Sequence, residues 1–329
     1  MPNVFNPIGK RYNKNLTGFQ NLSGLGSNFI MNIGLICTLA VILDTLLGEL
    51  RRFHPLVGFG YWADGLERRL NTGKRWQGVL AVILAILPFI LLIGLLNWII
   101  TETWMLAVVL LYFAIAPRSL SEHAWAVQTA LIQNDLDEAR QQVSRIVSRD
   151  TQTLDAQGVT CATIESVLEN GNDAIFAALF WYLLAGLPGL VLYRLANTLD
   201  ALWGYRNTHF LHFGWAAARL DDVLNWIPAR LTALSYASVG HFATAVQSWF
   251  KQASTWYSPN AGPVMAAGAG ALQVILGGIA HYQGQIKKRP ILGAKNLPTA
   301  NDIGRAVALV HRALGLWLFI IVLGDWLLA

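Results

Sequence analysis

The stretch QGVLAVILAILPFILLIGLLNWII, residues 77–100, decides the fold class of this chain. It contains no charged residue, and it is longer than the ~20 apolar residues that a helix needs to cross a bilayer. Similar apolar blocks occupy residues 29–48, 104–116 and 313–328. Together the four blocks predict four membrane-spanning helices.

The composition of the whole chain agrees with a membrane protein. Of the 329 residues, 54% are hydrophobic and 13% are charged, whereas ordinary soluble domains carry about 25% charged residues. The net charge of +5 comes from positive residues gathered in particular loops, where they indicate topology rather than a nucleic-acid surface. No zinc-finger spacing or aromatic–basic RNA motif is present, so nucleic acid is not an expected partner. The predicted fold class is an all-α polytopic membrane protein.

The charges in the loops also predict the orientation of the chain. Residues 1–28 read as a flexible leader with three basic residues, and the interfacial loop 49–76 carries six. The positive-inside rule therefore places this loop in the cytoplasm and the leader outside. The predicted regions are a leader at 1–28, membrane helices at 29–116, a helical cytoplasmic or membrane-associated catalytic region at 117–312, and a final membrane helix at 313–329.

The region after the third apolar block contains three further patterns. Residues 117–149 show apolar positions at helical spacing with a break at Asn134-Asp135, which predicts two amphipathic helices and Asp135 as an N-cap. The apolar run 174–196 is interrupted by Gly186-Leu187-Pro188-Gly189, and this predicts a re-entrant hairpin rather than a full crossing. The Gly- and Ala-rich stretch 263–280 is expected to form a closely packed helix, followed by a basic loop that carries Lys287, Lys288, Arg289 and Lys295.

Carboxylates at helical spacing form the most distinctive polar pattern. Glu165, Glu169 and Asp173 fall at i, i+4 and i+8, so one helix would carry all three on one face. No Lys or Arg lies between Asp150 and Arg194 to relieve their repulsion. The arrangement therefore requires an outside cation. A solvated acidic face is the alternative interpretation.

A second polar group follows later in the chain. Asp221, Asp222 and Asn225 present acceptors one helical turn apart, and Arg219 and Arg230 flank them. A phosphorylated ligand with Mg²⁺ needs this mixture, because Mg²⁺ takes one or two carboxylates plus phosphate oxygens and arginines bind the remaining phosphate charge. A salt bridge on a helix surface is the alternative for each single Arg–Asp pair.

Longer motifs at these positions resemble a known family. They are R-D-T at 149–151, E-S-V-x-E-N at 165–170, N-T-L-D at 197–200, G-Y-R-N at 204–207, F-G-W-A-A-A-R-L-D-D at 213–222 and S-P-N-A-G at 258–262. Through them the chain, from about residue 35 to 325, is similar to the CobD/CbiB family of cobalamin-biosynthesis membrane proteins.

The resemblance implies an adenosylcobinamide-phosphate synthase. Such an enzyme joins the propionate carboxyl of (adenosyl)cobyric acid to the amine of (R)-1-amino-2-propanol or its O-phosphate, in a ligation that depends on ATP and Mg²⁺. The implied location is the cytoplasmic (inner) membrane, with the active region facing the cytoplasm. The implied partners are the corrinoid and aminopropanol substrates, the lipid bilayer and other membrane enzymes of nucleotide-loop assembly, while a homo-oligomer stays open.

The resemblance also implies roles for residues at matching positions. The carboxylates that would act as metal ligands or as catalytic bases are Glu165, Glu169, Asp173, Asp221 and Asp222. The residues that would bind substrate are Arg149, Asp150, Asn170, Asn197, Asp200, Tyr205, Arg206, Arg219, Asn225, Arg230, Ser258 and Asn260. The arginines would hold phosphate or carboxylate groups, and the asparagines would hydrogen-bond corrinoid amides or the aminopropanol moiety. Which carboxylate is base and which is ligand stays open, as does activation through an acyl phosphate or an acyl adenylate.

The chain departs from the family pattern in two regions. The family usually has G-D-P in its first loop, where this chain has Gly48-Glu49-Leu50. It usually has T-x-D-G after E-N, and then a proline before L-F-W, where this chain has Gly171-Asn172-Asp173-Ala174 and Ala178. The first change keeps the charge but moves it outward, and the others alter the backbone beside the acidic face.

Two other function classes fit parts of the sequence. A transporter for a cationic or corrinoid substrate would need charged residues inside the membrane blocks, and only Asp44 and Asp325 approach that, near block ends. A non-catalytic membrane scaffold or sensor of the same fold would have no need of an uncompensated acidic face. The amide-forming ligase is the favoured interpretation.

Overall fold

The structure is a computed structural model that describes residues 33–49, 54–100, 103–282 and 285–328. In the first half of these ranges the helices are α1 (Ile33–Leu47), α2 (Pro55–Leu70), α3 (Arg75–Ile99), α4 (Trp104–Ala114), α5 (Pro117–Ile132), α6 (Leu136–Val143) and α7 (Ala156–Gly171). The second half comprises α8 (Ala177–Trp203), α9 (Trp215–Leu224), α10 (Trp226–Val239), α11 (Phe242–Gln252), α12 (Ala261–Leu272), the strands β1 (Ile275–Tyr282) and β2 (Gln285–Gly293), and α13 (Ala300–Leu328). A π-helix, Asn172–Phe176, joins α7 to α8, and a short 3₁₀ turn, Ala253–Thr255, follows α11.

Four helical segments in the described ranges are long and apolar enough to cross a membrane. They are Arg75–Ile99, Trp104–Ile132, Ala156–Trp203 and Ala300–Leu328. The fold class, an all-α polytopic membrane protein with about four spans, is therefore confirmed. The side of the membrane on which each loop lies stays a prediction, and the leader at 1–28 lies outside the described residues.

Three of the predicted blocks differ from the structure in extent. Residues 29–32 of the first block lie outside the described residues, and the helix Ile33–Leu47 that follows is shorter than the ~20 residues of a spanning helix. The third block continues into α5, so half of the predicted amphipathic pair belongs to a candidate span. The last helix begins at Ala300 rather than at 313, because the Asp302 carboxylate accepts a hydrogen bond from the Thr299 N–H at 2.7 Å and stabilises the first turn.

The predicted hairpin lies within Ala156–Trp203. Gly186 has φ 60° and ψ −149°, a conformation that an L side chain rarely adopts. Beyond it, the Tyr193 hydroxyl donates to the carbonyl oxygen of Asp173 at 2.9 Å. An uninterrupted helix would hold these two residues about 30 Å apart along its axis. The two arms on either side of Gly186 therefore fold back on each other as a helical hairpin, and its re-entrant path in the membrane stays a prediction.

Polar residues start and stop the shorter helices, and the predicted break at Asn134-Asp135 is confirmed. The His54 side chain accepts from the Leu56 N–H at 3.2 Å at the start of α2. Asn134 adopts φ 59° between α5 and α6, and Asp135 accepts from the Glu138 N–H at 3.0 Å as the N-cap of α6. These side chains satisfy backbone N–H groups that have no partner within the helix.

Residues 263–280 were predicted to form one helix, and this prediction is wrong for the second part of the stretch. The first part is α12, whose residues are all buried and which packs against α10 and α11. Gln273 then adopts φ 59°, and Gly277 and Gly278 have φ 91° and 79°, values that a helix cannot contain. The chain instead forms β1, which pairs antiparallel with β2, so the basic stretch predicted as a loop is part of a β-hairpin.

Candidate functional site

The predicted carboxylates come together where α7, the π-helix, α8 and α9 meet. The members of this acidic row are Glu165, Glu169, Asp173, Asp200, Asp221 and Asp222, and each lies close enough to another member to interact electrostatically. The first three follow one another along α7 into the π-helix, and the last two belong to α9. Residues 48 or more positions apart in sequence thus form one site.

The π-helix begins immediately before Asp173. At this point α7 lies very close to α10, as shown by the overlap that a Cβ atom at Gly171 would have with the hydroxyl of Tyr236. This hydroxyl donates to the Leu168 carbonyl at 3.0 Å. Gly171, which departs from the family pattern, therefore leaves room for the Tyr236 hydroxyl. Single-turn π-helices within α-helices are frequent at functional sites.

Glu165 forms one end of the acidic row and is paired by the protein itself. Its side chain is 3% exposed, and its Oε2 accepts hydrogen bonds from Arg149 and from Arg289 Nη1, the latter at 2.6 Å. Its Oε1 accepts from the Gly277 N–H at 2.9 Å. The sequence pattern required a cation from outside the acidic face. For Glu165, two arginines of the protein itself supply that positive charge. We refer to Glu165, Arg149 and Arg289 as the arginine clamp.

Asp173, further along the row, is held by amide side chains. Asn172 Nδ2 donates to Asp173 Oδ1 at 2.8 Å and to Asn225 Oδ1 at 3.0 Å. The Thr232 hydroxyl donates to Asn172 Oδ1 at 2.9 Å, which fixes the orientation of that amide. Within the described part of the chain, no Lys or Arg forms an ion pair with Asp173.

Asp221 lies on the other side of the same amide network. Both of its carboxylate oxygens accept from Asn225 Nδ2 at 3.1 Å, and Oδ1 also accepts from Asn197 Nδ2 at 3.2 Å. Burial raises the pKa of the Asp221 carboxyl above its ordinary value, and the amide hydrogen bonds oppose that rise. Burial also raises the pKa of Asp222, against the charges of Arg219 and Arg206. Carboxyls with raised pKa values are suited to accept a proton near neutral pH.

A cavity of about 260 Å³ opens beside the arginine clamp. The side chains of Glu169 and Asn170 are exposed there, and Asn170 Nδ2 donates to the Ser166 carbonyl at 2.9 Å. Two aromatic rings, Trp256 and Tyr257, line the opposite part with their centroids 5.1 Å apart. The cavity thus combines an exposed carboxylate, amides and aromatic faces.

The loop that contains Ser258 and Asn260 is tied to this region by hydrogen bonds. Asn260 Nδ2 donates to the Asp222 carbonyl at 2.7 Å, and its Oδ1 accepts from Arg230 Nη1 at 3.1 Å. Ser258 Oγ accepts from the N–H groups of Asn260 and Ala261 at 3.3 and 3.1 Å. These predicted binding residues therefore position the loop beside the acidic row.

The predicted arginines differ in their availability to a ligand. Arg149 belongs to the clamp, and Arg230 is hydrogen-bonded within the loop. The Arg219 side chain is 65% exposed and lies 3.5 Å from the Asp222 carboxylate, and Arg206 is exposed on the same side. Arg206 and Arg219 are thus the predicted arginines with guanidinium groups open to a ligand.

Two predicted residues make local contacts instead. Asp150 accepts from the Gln152 N–H at 3.1 Å and closes a turn. The Tyr205 ring packs near Phe210, with centroids 6.5 Å apart. Among the described residues neither side chain has a hydrogen bond to the acidic row.

Sequence reasoning missed four residues that build the site. Arg289 was interpreted as part of a basic loop, and Arg194, Asn172 and Tyr193 were given no role. Tyr193 contacts both Asp173 and Asn225, and Arg194 Nη1 donates to Asn197 Oδ1 at 3.2 Å. A buried polar side chain in an apolar helix was the available signal for Tyr193 and Arg194.

The site fits Mg²⁺ only together with a ligand. No group of three or more His, Cys, Asp or Glu side chains in the described ranges is arranged to hold a metal ion. Within the described residues, the carboxylates of Asp173 and Asp221 accept hydrogen bonds from amide side chains alone. Mg²⁺ is commonly bound through one or two carboxylates while phosphate oxygens and waters complete its shell. The donor set therefore matches a magnesium–phosphate ligand.

The fold and the acidic row define a class of protein, a polytopic helical membrane protein with a carboxylate-rich polar site beside its spans. Comparison with known proteins makes this specific, since the model of the "CobD/Cbib protein" family matches residues 37–310. The chain belongs to this family.

Individual relatives extend over most of the chain. It is 55% identical over 294 residues to the cobalamin biosynthesis protein CobD of Stutzerimonas stutzeri (strain A1501), which covers 88% of this chain and 97% of that protein. It is 55% identical over 296 residues to the protein of that name from Chromobacterium violaceum, covering 87% and 95%. It is 37% identical over 275 residues to the one from Mycobacterium tuberculosis, covering 82% and 88%. No solved structure matches the chain significantly.

Proposed function

We propose that this protein acts in cobalamin biosynthesis as an amide-forming ligase. It joins the propionate carboxyl of (adenosyl)cobyric acid to the amine of (R)-1-amino-2-propanol or its O-phosphate, and it uses ATP with Mg²⁺. Family membership and the names of the relatives support the pathway. The observation that carries the chemistry is the acidic row, in which Asp173 and Asp221 are held by amides without an ion-pair partner in the described residues.

The reaction explains why such carboxylates are needed. A carboxylate does not react with an amine unless one of its oxygens first becomes part of a leaving group, either a phosphate or an adenylate. When bound, Mg²⁺ would neutralise phosphate charge during this transfer. Asp173 and Asp221 are the residues that would hold it, and Arg206 and Arg219 would bind phosphate oxygens.

A base must then remove a proton from the amine. As the amine nitrogen attacks the activated carbonyl carbon, the C–N bond forms, the C–O bond to the phosphate or adenylate breaks, and nitrogen loses a proton. Asp222 is half-buried beside Arg219, burial raises its pKa, and it is the proposed acceptor of this proton. Asp200 and Glu169 are the other carboxylates of the row within reach of this region.

The corrinoid is expected in the cavity beside the clamp. A corrinoid has a large apolar ring edge with amide side chains. The rings of Trp256 and Tyr257 provide apolar faces, and Asn170 provides an amide that can pair with an amide. The cavity of about 260 Å³ is small for the whole macrocycle, so we expect it to receive the side chain that reacts.

The decisive experiment measures amide formation by purified, detergent-solubilised full-length protein. The reaction contains cobyric acid, aminopropanol phosphate, ATP and Mg²⁺, and product is separated by chromatography. The wild type is expected to form product, while Glu169→Gln and Asp173→Asn lose most activity. Asp137→Asn, which removes an exposed carboxylate far from the row, serves as the matched control.

The same experiment separates the other function classes. Folded wild type that binds cobyric acid without forming product would support a scaffold or sensor. Uptake of corrinoid into proteoliposomes without product would support a transporter. The cytoplasmic orientation of the site and its association with other enzymes of nucleotide-loop assembly stay predictions.

A further inference from the structure

A second polar cavity lies near the acidic row and apart from the clamp. It has a volume of about 210 Å³ and is formed where α1 ends, α2 begins and α4 ends. It shares no lining residue with the cavity beside the clamp. Its volume is below the roughly 300–1,000 Å³ of pockets that hold drug-sized ligands, so it can enclose only a small molecule or one side chain of a larger one.

The first charged groups in this cavity are two carboxylates. Asp44 Oδ2 accepts from the Arg118 N–H at 2.8 Å, and Glu49 Oε2 accepts from the Ser119 hydroxyl at 2.6 Å. Within the ranges that the structure describes, the second oxygen of each carboxylate has no hydrogen-bond donor. Two such oxygens facing one small cavity favour a ligand with an ammonium group.

The cavity also contains a cation and a neutral donor. The Arg194 side chain lines the cavity, and its Nη1 donates to Asn197 Oδ1. Burial lowers the pKa of His54, and its Nδ1 accepts from the Leu56 N–H. The neutral His54 ring therefore carries its proton on Nε2. Both groups are suited to an anionic or hydroxyl oxygen on the ligand.

The cavity is connected to the acidic row. Asn197 accepts from Arg194 and donates to Asp221, so one hydrogen-bonded chain runs from the cavity to the row. The Ala116 N–H, in the cavity wall, donates to the carbonyl oxygen of Ala174 at 3.1 Å, next to Asp173. A ligand in this cavity is thus adjacent to the carboxylates proposed for the reaction.

We propose that this cavity is the binding site of the amine substrate, an amino alcohol phosphate. Asp44 and Glu49 hold its ammonium group and take its first proton, and Arg194 with His54 holds its phosphate. The free amine then attacks at the acidic row, where its second proton goes to Asp222. The assignment rests on the proposed function, and it adds that the two substrates approach the acidic row from different sides. Glu49, at the position where the family usually has aspartate, is then a determinant of the amine that is accepted.

A phospholipid headgroup has the same chemistry as the proposed ligand. Phosphatidylethanolamine carries an ammonium and a phosphate, and an apolar cavity of about 150 Å³ adjoins this one through Leu56, Phe113 and Arg194. The experiment must therefore separate a free amino alcohol phosphate from a lipid.

The test is calorimetric titration of the full-length protein with aminopropanol phosphate and with aminopropanol. Glu49→Gln is expected to weaken the binding of both ligands about tenfold or more, because one charge-assisted hydrogen bond is lost. Arg194→Gln should weaken the binding of aminopropanol phosphate by a similar factor and leave the affinity for aminopropanol unchanged. Glu122→Gln removes an exposed carboxylate outside the cavity and should stay within about twofold of wild type.

Three results would overturn the assignment. The first is unchanged affinity of both ligands in Glu49→Gln, an exposed position whose substitution does not threaten folding. The second is weakening of both ligands to the same degree by Arg194→Gln. The third is that phosphatidylethanolamine in nanodiscs binds in a Glu49-dependent manner while free amino alcohols do not bind.

Failure of this site and failure of the ligase function are distinguishable. Cyanocobyric acid should bind Glu49→Gln with wild-type affinity. Normal product formation with an unchanged KM for the amine in that variant would sink the subsite and leave the ligase standing. Amine binding with the expected variant pattern but no product from the wild type would sink the ligase and leave the subsite standing.

Discussion

The two ends of the acidic row hold the same kind of charge in opposite ways. Glu165 is nearly inaccessible and receives two arginines and a backbone N–H. Asp173 and Asp221 receive amides alone within the described residues. Amide hydrogen bonds stabilise a carboxylate but do not neutralise it, so a cation or a proton still has a place there. We therefore expect the first end to contribute mainly to stability and the second to the proposed reaction.

The largest effect is expected at the clamp. Glu165→Gln leaves the buried guanidinium groups of Arg149 and Arg289 without their counter-charge, which should lower the free energy of unfolding by about 3–5 kcal/mol. Chemical denaturation in detergent measures the loss. Glu169→Gln, one turn further along α7 and exposed to a cavity, is the matched control and should change stability by less than about 0.5 kcal/mol. Equal losses in both variants would contradict the comparison.

At the other end the effects on stability and activity should separate. Asp221→Asn removes a buried negative charge, and the described hydrogen-bond donors to this carboxylate are neutral amides. The free energy of unfolding should therefore rise by about 1 kcal/mol. Amide formation should fall by about 10²-fold or more. Denaturation and product formation, measured on one preparation, test both. A variant that is inactive because it is less stable would show that Asp221 is structural.

The hairpin supports the second end of the row, since Tyr193 in its returning arm contacts Asp173. Gly186→Ala places a Cβ on a residue with φ 60° and ψ −149° and should cost about 1–3 kcal/mol. Gly94→Ala lies within helix α3 where a Cβ meets no atom within 4 Å, so it should be neutral or slightly stabilising. Thermal unfolding of the two variants provides the measurement. If Gly186→Ala unfolds like wild type, the turn at Gly186 is not as constrained as the backbone angles indicate.

The smallest effect concerns pH. The pKa of Asp221 is raised in the folded protein, so between its unfolded and folded pKa values the folded state binds more protons and the free energy of unfolding falls as pH rises. In the proposed function Mg²⁺ would compete with that proton, so the affinity for Mg²⁺ should weaken as pH falls through the raised pKa. Titration with Mg²⁺ and a non-hydrolysable ATP analogue at several pH values measures this. Asp221→Asn should flatten the profile, and an unchanged profile would exclude Asp221 as the titrating group.

Much of the fold was predictable because the signals are local. An apolar block indicates a membrane-spanning helix over its own length. A glycine with a proline shortly after it indicates a break, as at Gly186 and Pro188. Asp135 acts on the helix that follows it directly. The β-hairpin was not predictable in this way, because its second strand is basic and its first is apolar and glycine-rich, a composition that equally suits a packed helix.

The candidate site was predictable in its carboxylates and not in their partners. The i, i+4, i+8 spacing placed Glu165, Glu169 and Asp173 on one face, as the structure has them. It could not distinguish Glu165 from the others, because Arg289 lies 124 residues away and only the tertiary fold brings it close. Metal, nucleotide and substrate roles of individual residues remain predictions.

The distance in sequence between Glu165 and Arg289 also orders the events of biogenesis. At about 5–20 residues per second, a ribosome makes Arg289 roughly 6–25 s after Glu165. During that interval the nascent chain has Arg149 as the one clamp arginine already synthesised. The clamp can therefore form only after α1 to α12 have been synthesised.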